Sequence, residues 1–293
     1  MKRIALKIDA DTLDGTRIGI PKLSALLTQH QAQGTFFFSL GPDRSGCQAR
    51  ATSLKHLYNL KTRLLGRLLP APNIGKRCVE QIRKVQADGF EIGIRAWDRV
   101  AWEDGIDKAT SAWVDAEIGR AHKRFSEILA DTPKSFAAPG WCGNRHALRL
   151  TQRLGYTYAS DCRGSHPFIP VIDGEIVACP QIPTTLPTID EVMALDPGLT
   201  AEKAGERILQ LSKAIPGDHV FTLRAELEGM THASTFEQLL TAWKEAGYTL
   251  VDLREIRASL EINELPRHAI EFAEIPGRPG RRMMQGPAFP LDA

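Results

Sequence analysis

Arg3-Ile-Ala-Leu-Lys-Ile-Asp-Ala-Asp-Thr12 is a short apolar strand that runs out into two carboxylates. Side chains alternate along a strand, so Asp9 and Asp11 point the same way. In α/β sheets and barrels the C-terminal ends of the strands are where ligands and chemistry gather. An Asp-x-Asp placed there fits a metal, a proton transfer or both. Taken without its surroundings, the pair fits a turn or a helix cap equally well.

The pattern after this strand decides the class. Pro21 opens a helical stretch with Leu23, Leu26, Leu27 and His30 on one face. Gly34 then introduces Thr35-Phe-Phe-Phe-Ser-Leu40, apolar on both faces as a covered parallel sheet requires. Cys78, Ile82 and Val85 mark a helix closed by Gly89, and Phe90-Glu-Ile-Gly-Ile94 follows as a strand. Val114, Ile118, Ala121, Phe125 and Ile128 define a long amphipathic helix before Ser135-Phe-Ala-Ala138, and a helix around Leu150 precedes Tyr156-Thr-Tyr-Ala-Ser160. A helix near 201–214, the strand His219-Val-Phe-Thr-Leu223, a helix carrying Phe236 to Trp243 and the strand 248–251 complete the series. Repeated strand-then-helix units imply a parallel sheet or barrel.

Two segments break the rhythm. Residues 50–76 hold Leu54, Leu57, Leu60, Leu64 and Leu68 at helical spacing, mixed with Lys55, Lys61, Arg63 and Arg67, a basic amphipathic insert. From Arg257 to the last residue the chain is Pro-, Gly- and Arg-rich and reads as an extended tail with little core of its own. The expected organisation is one domain over 1–256 followed by this tail.

Composition narrows the function classes. With 43% hydrophobic and 25% charged residues the chain is that of a globular protein. A net charge of +2 is too small to argue for nucleic acid. Its five cysteines form no Cys-x-x-Cys pair, which points to a reducing compartment rather than a zinc ribbon or disulfide framework. Lys7 and Asp9 interrupt the first apolar run before it reaches the roughly 7–15 residues of a signal-peptide core. A cytoplasmic location is expected.

Several short stretches, in joint order, carry a resemblance: Ile8-Asp-Ala-Asp-Thr12 with Gly15-Thr-Arg17, Phe38-Ser-Leu-Gly-Pro-Asp43, Ala96-Trp-Asp98, Ala138-Pro-Gly-Trp141, Ser160-Asp-Cys-Arg-Gly164, Gln181-Ile-Pro-Thr-Thr-Leu-Pro-Thr188 and Ala225-Glu-Leu-Glu-Gly229. From Ile4 to about Ile256 the chain resembles the polysaccharide deacetylase (NodB-homology) superfamily. It is most similar to the deformylases of undecaprenyl-phosphate-linked 4-deoxy-4-formamido-L-arabinose and related amino-sugar deacetylases. The resemblance implies a distorted (β/α) barrel of about seven strands. It also implies hydrolysis of an N-formyl or N-acetyl group in lipopolysaccharide (lipid A) modification, at the inner face of the inner membrane. In the family a zinc-like divalent metal polarises the amide and its water, an aspartate takes the water's proton and a histidine protonates the leaving amine.

Carried over, Asp9 is the base and Asp11 the carboxylate ligand. The family's two histidine ligands fall on Arg95 and Arg99, in Arg95-Ala-Trp-Asp-Arg99, and its acid histidine on Arg224. Substrate contacts are implied for Asp98, Pro139, Gly140, Trp141, Asp161, Arg163 and Glu226. A guanidinium has only N–H donors and a pKa above about 12, so it neither ligates a metal nor serves as an ordinary acid. No metal cofactor is therefore expected in this sequence. The arginines can replace the ion structurally, hold an anion bidentately, or belong to a rebuilt hydrolytic site. Trp141 suits either the core or a sugar-stacking platform. The insert suits either packing on the barrel or an interfacial contact with anionic lipid.

Overall fold

The computed structural model describes residues 2–48 and 58–289. Eleven strands occur among them: β1 (Lys2–Ala10), β2 (Thr35–Phe38), β3 (Glu91–Ile94), β4 (Ser135–Phe136), β5 (Tyr158–Ala159), β6 (Ile169–Ile172), β7 (Glu175–Ile176), β8 (His219–Arg224), β9 (Tyr248–Val251), β10 (Arg267–Ile275) and β11 (Arg278–Ala288). The main sheet runs β5-β4-β3-β2-β1-β8, with β9 also on β1, and every pairing in it is parallel. This curled seven-stranded sheet with flanking helices is the expected distorted (β/α) barrel.

Alternation along β1 separates two cores. Ile4, Leu6, Ile8 and Ala10 join the large cluster beneath the helices, with Phe36, Ile118, Phe125 and Trp243. Ala5 faces the other way, into a smaller cluster with Phe37, Ala137, Tyr158, Ile182 and Val251. Lys7, Asp9 and Asp11 share the inward parity of Ala5. Register then sets their neighbours: Asp9 pairs with Phe37 on β2 and with Arg224 on β8.

The helix Ser111–Leu129 buries Val114, Ile118, Ala121, Phe125 and Ile128, the stripe its spacing predicts. Thr110 caps its start by accepting from the Trp113 N–H.

The last segment departs from expectation. Instead of an extended tail, β10 and β11 form an antiparallel hairpin, and β10 pairs with β6 to build a second, four-stranded sheet. Its turn contains Gly277 at φ +79°, where a Cβ would also strike the Glu191 carbonyl. Ile270, Ile275 and Met283 are buried, so the hairpin contributes core after all. Alternation in Arg267-His-Ala-Ile-Glu-Phe-Ala-Glu-Ile275 followed by Pro-Gly was the available signal.

The insert is less helical than its leucine spacing suggests. Leu54 and Leu57 lie outside the described residues. Residues 58–76 contain one 3-10 turn, Thr62–Leu64, before the short helix Ile74–Arg77. Gly66 at φ +77°, with Pro70 and Pro72, breaks the period. Tyr58 and Leu65 are buried, while Leu60 and Leu68 are 71% and 74% exposed.

Candidate active site

At the C-terminal end of β1 the sequence-predicted residues do come together, and nearly all are out of contact with solvent. Arg95 follows β3, its N–H donating to the Phe38 carbonyl at 3.0 Å. That step turns its side chain onto the two aspartates. Nη1 lies 2.6 Å from Asp9 Oδ1 and Nε lies 2.8 Å from Asp11 Oδ1. Arg95 is 0% exposed, and Ser39 Oγ also donates to Asp11 Oδ1 at 2.9 Å. Burial would raise the Asp11 pKa, but Arg95, Arg99 and Arg224 together hold it below the ordinary carboxylate value.

The other two arginines are held differently. Arg99 opens the helix Arg99–Gly105 and pairs with Glu103 at 3.2 Å, with Ser45 Oγ at 3.3 Å. Gly140, at φ +60°, leaves room for Glu103, whose carboxyl carbon would be 3.1 Å from a Cβ there. Among the described residues the ion pairs of Arg224 are long, 3.8 Å to Asp11 Oδ2 and 3.9 Å to Asp190 Oδ1. Its Nε has no hydrogen-bond partner, nor do the two carboxyl oxygens of Glu226. Burial and neighbouring Asp11 push the Glu226 carboxyl up to about 7.

Asp98 and Asp161 have structural partners. Asp98 Oδ1 accepts from the Ala101 N–H at 3.0 Å and caps the helix, while Oδ2 pairs with Arg44 at 3.2 Å. Asp161 accepts from the Ala138 N–H at 2.8 Å and from Gln181 Nε2 at 3.1 Å. Burial raises its pKa to about 6.

A second layer of charge lies over Trp141, which is 2% exposed. Arg278 Cζ and Arg163 Cζ sit 4.8 and 5.0 Å from its ring, and Lys7 Nζ sits 5.7 Å away. Arg163 donates to Glu191 at 2.7 Å, and Arg278 donates to Glu191 and Asp190 at 2.9 Å each. Burial alone would raise the Glu191 pKa, but these guanidiniums hold it down at about 2. Trp141 is thus enclosed rather than offered as an open platform.

Sequence reasoning missed Lys7, Tyr58, Glu103, Asp190, Glu191 and Arg278. Lys7 was within reach: a lysine inside an apolar strand, two residues before Asp9, must share its face. Its Nζ donates to the Ser160 carbonyl at 2.9 Å, and burial lowers its pKa to about 8. Arg278 carried no signal, since it reaches the site only through the hairpin.

The donor set does not fit a catalytic divalent ion. Of the three positions the resemblance assigns to ligands, only Asp11 offers a lone pair, and the Arg95 guanidinium is lodged between it and Asp9.

Comparison with known proteins agrees with this architecture. A family model described as polysaccharide deacetylase matches residues 2–159. A Shewanella sediminis protein named "Probable 4-deoxy-4-formamido-L-arabinose-phosphoundecaprenol deformylase" is 34% identical over 290 residues, covering 95% of this chain and 93% of that protein. A Mycobacterium smegmatis crystal structure assigned to the polysaccharide deacetylases superposes with a TM-score of 0.65 at 16% identity, covering 94% of this chain and 96% of that one. A Bacillus anthracis structure titled as a CE4 family pseudoenzyme superposes at 0.53 with 11% identity, covering 87% of this chain and 65% of that one. By the span of the family model and the identity to its relative, this chain belongs to the polysaccharide deacetylase family.

Proposed function

We propose that this chain is a non-hydrolytic member of its family, one that binds an undecaprenyl-phosphate-linked amino sugar without removing the N-acyl group. The observation that carries this reading is Arg95, whose guanidinium contacts both Asp9 and Asp11 at ion-pair distance. The guanidinium occupies the carboxylate that the resemblance assigns as base, and no histidine stands where the family's acid does. The relative's name supports the lipid-linked sugar as ligand class. Fold alone does not imply catalysis, and a protein titled a pseudoenzyme carries this one.

The insert supports a membrane-facing ligand. Exposed Leu60, Leu68 and Leu69 lie beside exposed Lys61, Arg63 and Arg67. Next to them a groove of about 470 Å³ is lined by apolar Leu13, Leu65 and Pro70 together with basic Lys61, Lys76 and Arg77. Apolar and cationic lining together complement a polyprenyl phosphate at an anionic membrane surface. Co-sedimentation with vesicles should rise with anionic lipid and fall with salt. Replacing Leu60, Leu68 and Leu69 by Ser should abolish it, and indifference to that change would return the insert to barrel packing.

A specific observation favours a second reading, a metal-free hydrolase. Glu226, buried, without hydrogen-bond partners on either oxygen and titrating near 7, is the group that would act as acid in place of a histidine. The deciding experiment incubates the protein with a short-chain formamido-sugar polyprenyl phosphate. Saturable binding without formate release supports the binding reading. Formate release that Glu226→Gln abolishes would establish the hydrolase instead.

A further inference from the structure

The loop after β5 meets the C-terminal hairpin through two histidines. His166 Nε2 and His268 Nε2 lie 3.2 Å apart, with the rings crossed at 73°. Surrounding hydrogen bonds fix where the ring protons are. Gln285 Oε1 accepts from the Ser165 N–H at 2.8 Å and from Ser165 Oγ at 3.2 Å, which orients the amide. The other end of that amide, Nε2, then donates to His166 Nε2 at 3.0 Å. Gly164 makes room for this arrangement, since a Cβ there would lie 2.5 Å from Gln285 Oε1.

Ser165 Oγ, having given its proton to Gln285, accepts from His166 Nδ1 at 2.8 Å. His268 Nδ1 stands 2.8 Å from the Gly286 carbonyl, which can only accept. Both rings therefore carry their proton on Nδ1 and leave Nε2 as the acceptor, the two Nε2 atoms lying side by side with that of His166 taken by the Gln285 amide. Burial, and then the neighbouring His268, lower the affinity of His166 for a second proton. Two acceptor nitrogens this close repel unless a cation joins them. Two nitrogens each about 2.0–2.1 Å from a tetrahedral ion sit about 3.3 Å apart, close to the separation found here.

We propose that His166 and His268 form a surface clip for a borderline divalent transition-metal ion such as zinc or nickel, tying the hairpin to the loop after β5. The Nδ1–H bond from His268 to the Gly286 carbonyl is the orienting contact that metal-bound imidazoles make. Among the described residues no group of three His, Cys, Asp or Glu side chains converges, so water fills the remaining positions and affinity is modest. Gln285 gives up its bond to His166 when the ion enters. The bound ion staples the strand pair that delivers Arg278 to the barrel mouth.

The test titrates nickel into EDTA-stripped full-length protein by calorimetry, with thermal melts in parallel. One equivalent should bind and raise the melting temperature. Magnesium, a hard cation that prefers oxygen, should do neither. His166→Ala and His268→Ala should each weaken binding by more than the roughly 10–100-fold that loss of an orienting group costs. Cys47→Ser, which removes the half-buried free thiol, should leave it intact. His166 is exposed while His268 is half-buried against Phe168, so metal-free His166→Ala should melt like the parent, and the metal-induced rise of each variant is read against its own metal-free melt. Binding that is not saturable near one equivalent, or that survives His268→Ala, overturns the proposal. So do imidazole nitrogen-15 shifts that show, with zinc present, a proton shared between the two Nε2 atoms.

Discussion

Replacing Arg95 by Ala removes the closest counter-charge from two buried carboxylates at once. The side chains of Asp11 and Asp9 are 0% and 6% exposed, so water cannot take the place of the guanidinium. Breaking a buried ion pair by deleting one partner costs about 3–5 kcal/mol, because the remaining charge is left uncompensated. Asp11 keeps Ser39 at 2.9 Å and Arg224 at 3.8 Å, which limits its share of the loss. With two carboxylates affected, the upper part of that range applies. At roughly 2–4 °C per kcal/mol for a chain of this size, the melting temperature should fall by about 10 °C. Urea unfolding followed by tryptophan fluorescence at pH 7 measures the free energy directly. The sign with pH follows from Asp11. Its folded pKa lies below the ordinary 3.8, so the pairing stabilises above that value and is lost as pH falls through the folded pKa. The gap between wild type and Arg95→Ala should therefore narrow in acid. Neutralising the whole cluster, Arg95→Met with Asp9→Asn and Asp11→Asn, should recover most of the loss. A variant within about 0.5 kcal/mol of wild type, inside the usual surface-substitution range, would refute the ion-replacement reasoning.

Changing Arg95, Arg99 and Arg224 together to His should create metal binding and release of formate or acetate from a lipid-linked amino sugar. Arg95→His alone should do neither, since an incomplete ligand shell does not hold the ion. Buried Asp161, Glu226 and Glu228 titrate near 6, 7 and 8 in the folded state, above their unfolded values. The folded protein then binds more protons than the unfolded one, so stability should fall as pH rises from about 4 to 8, and Glu228→Gln should flatten the upper part of that decline. Arg278→Ala should destabilise by about 3 kcal/mol, because it removes the closest counter-charge from buried Asp190 and leaves Glu191 with Arg163 alone, and should speed trypsin cleavage in β11. Unchanged proteolysis would show that the hairpin is held by other contacts.

The barrel was legible because a parallel sheet leaves a local signature: β2 is buried at every position, and β1 alternates between two cores. Part of the site was legible for the same reason, since the shared face of Asp9 and Asp11 follows from strand parity. Arg95, Arg99 and Arg224 were named only through the family resemblance, which carries its histidine positions onto them. What stayed hidden depends on long-range pairing. The Arg-rich end reads as loop until β10 finds β6 and Arg278 finds Asp190 and Glu191, partners 88 and 87 residues away. The leucine period of the insert was a real pattern with the wrong consequence, since Gly66, Pro70 and Pro72 override it. Trp141 showed its chemistry in the sequence but not its burial, which two distant arginines create.

Arg95 standing where the family's metal would be is best tested by elemental analysis of purified protein in a His166→Ala/His268→Ala background, so that the surface clip contributes nothing. After equilibration with zinc and extensive dialysis at neutral pH, no stoichiometric metal should remain, and Asp11→Ala should change nothing. One equivalent of retained zinc that disappears in Asp11→Ala would contradict the assignment and restore a metal-dependent hydrolase.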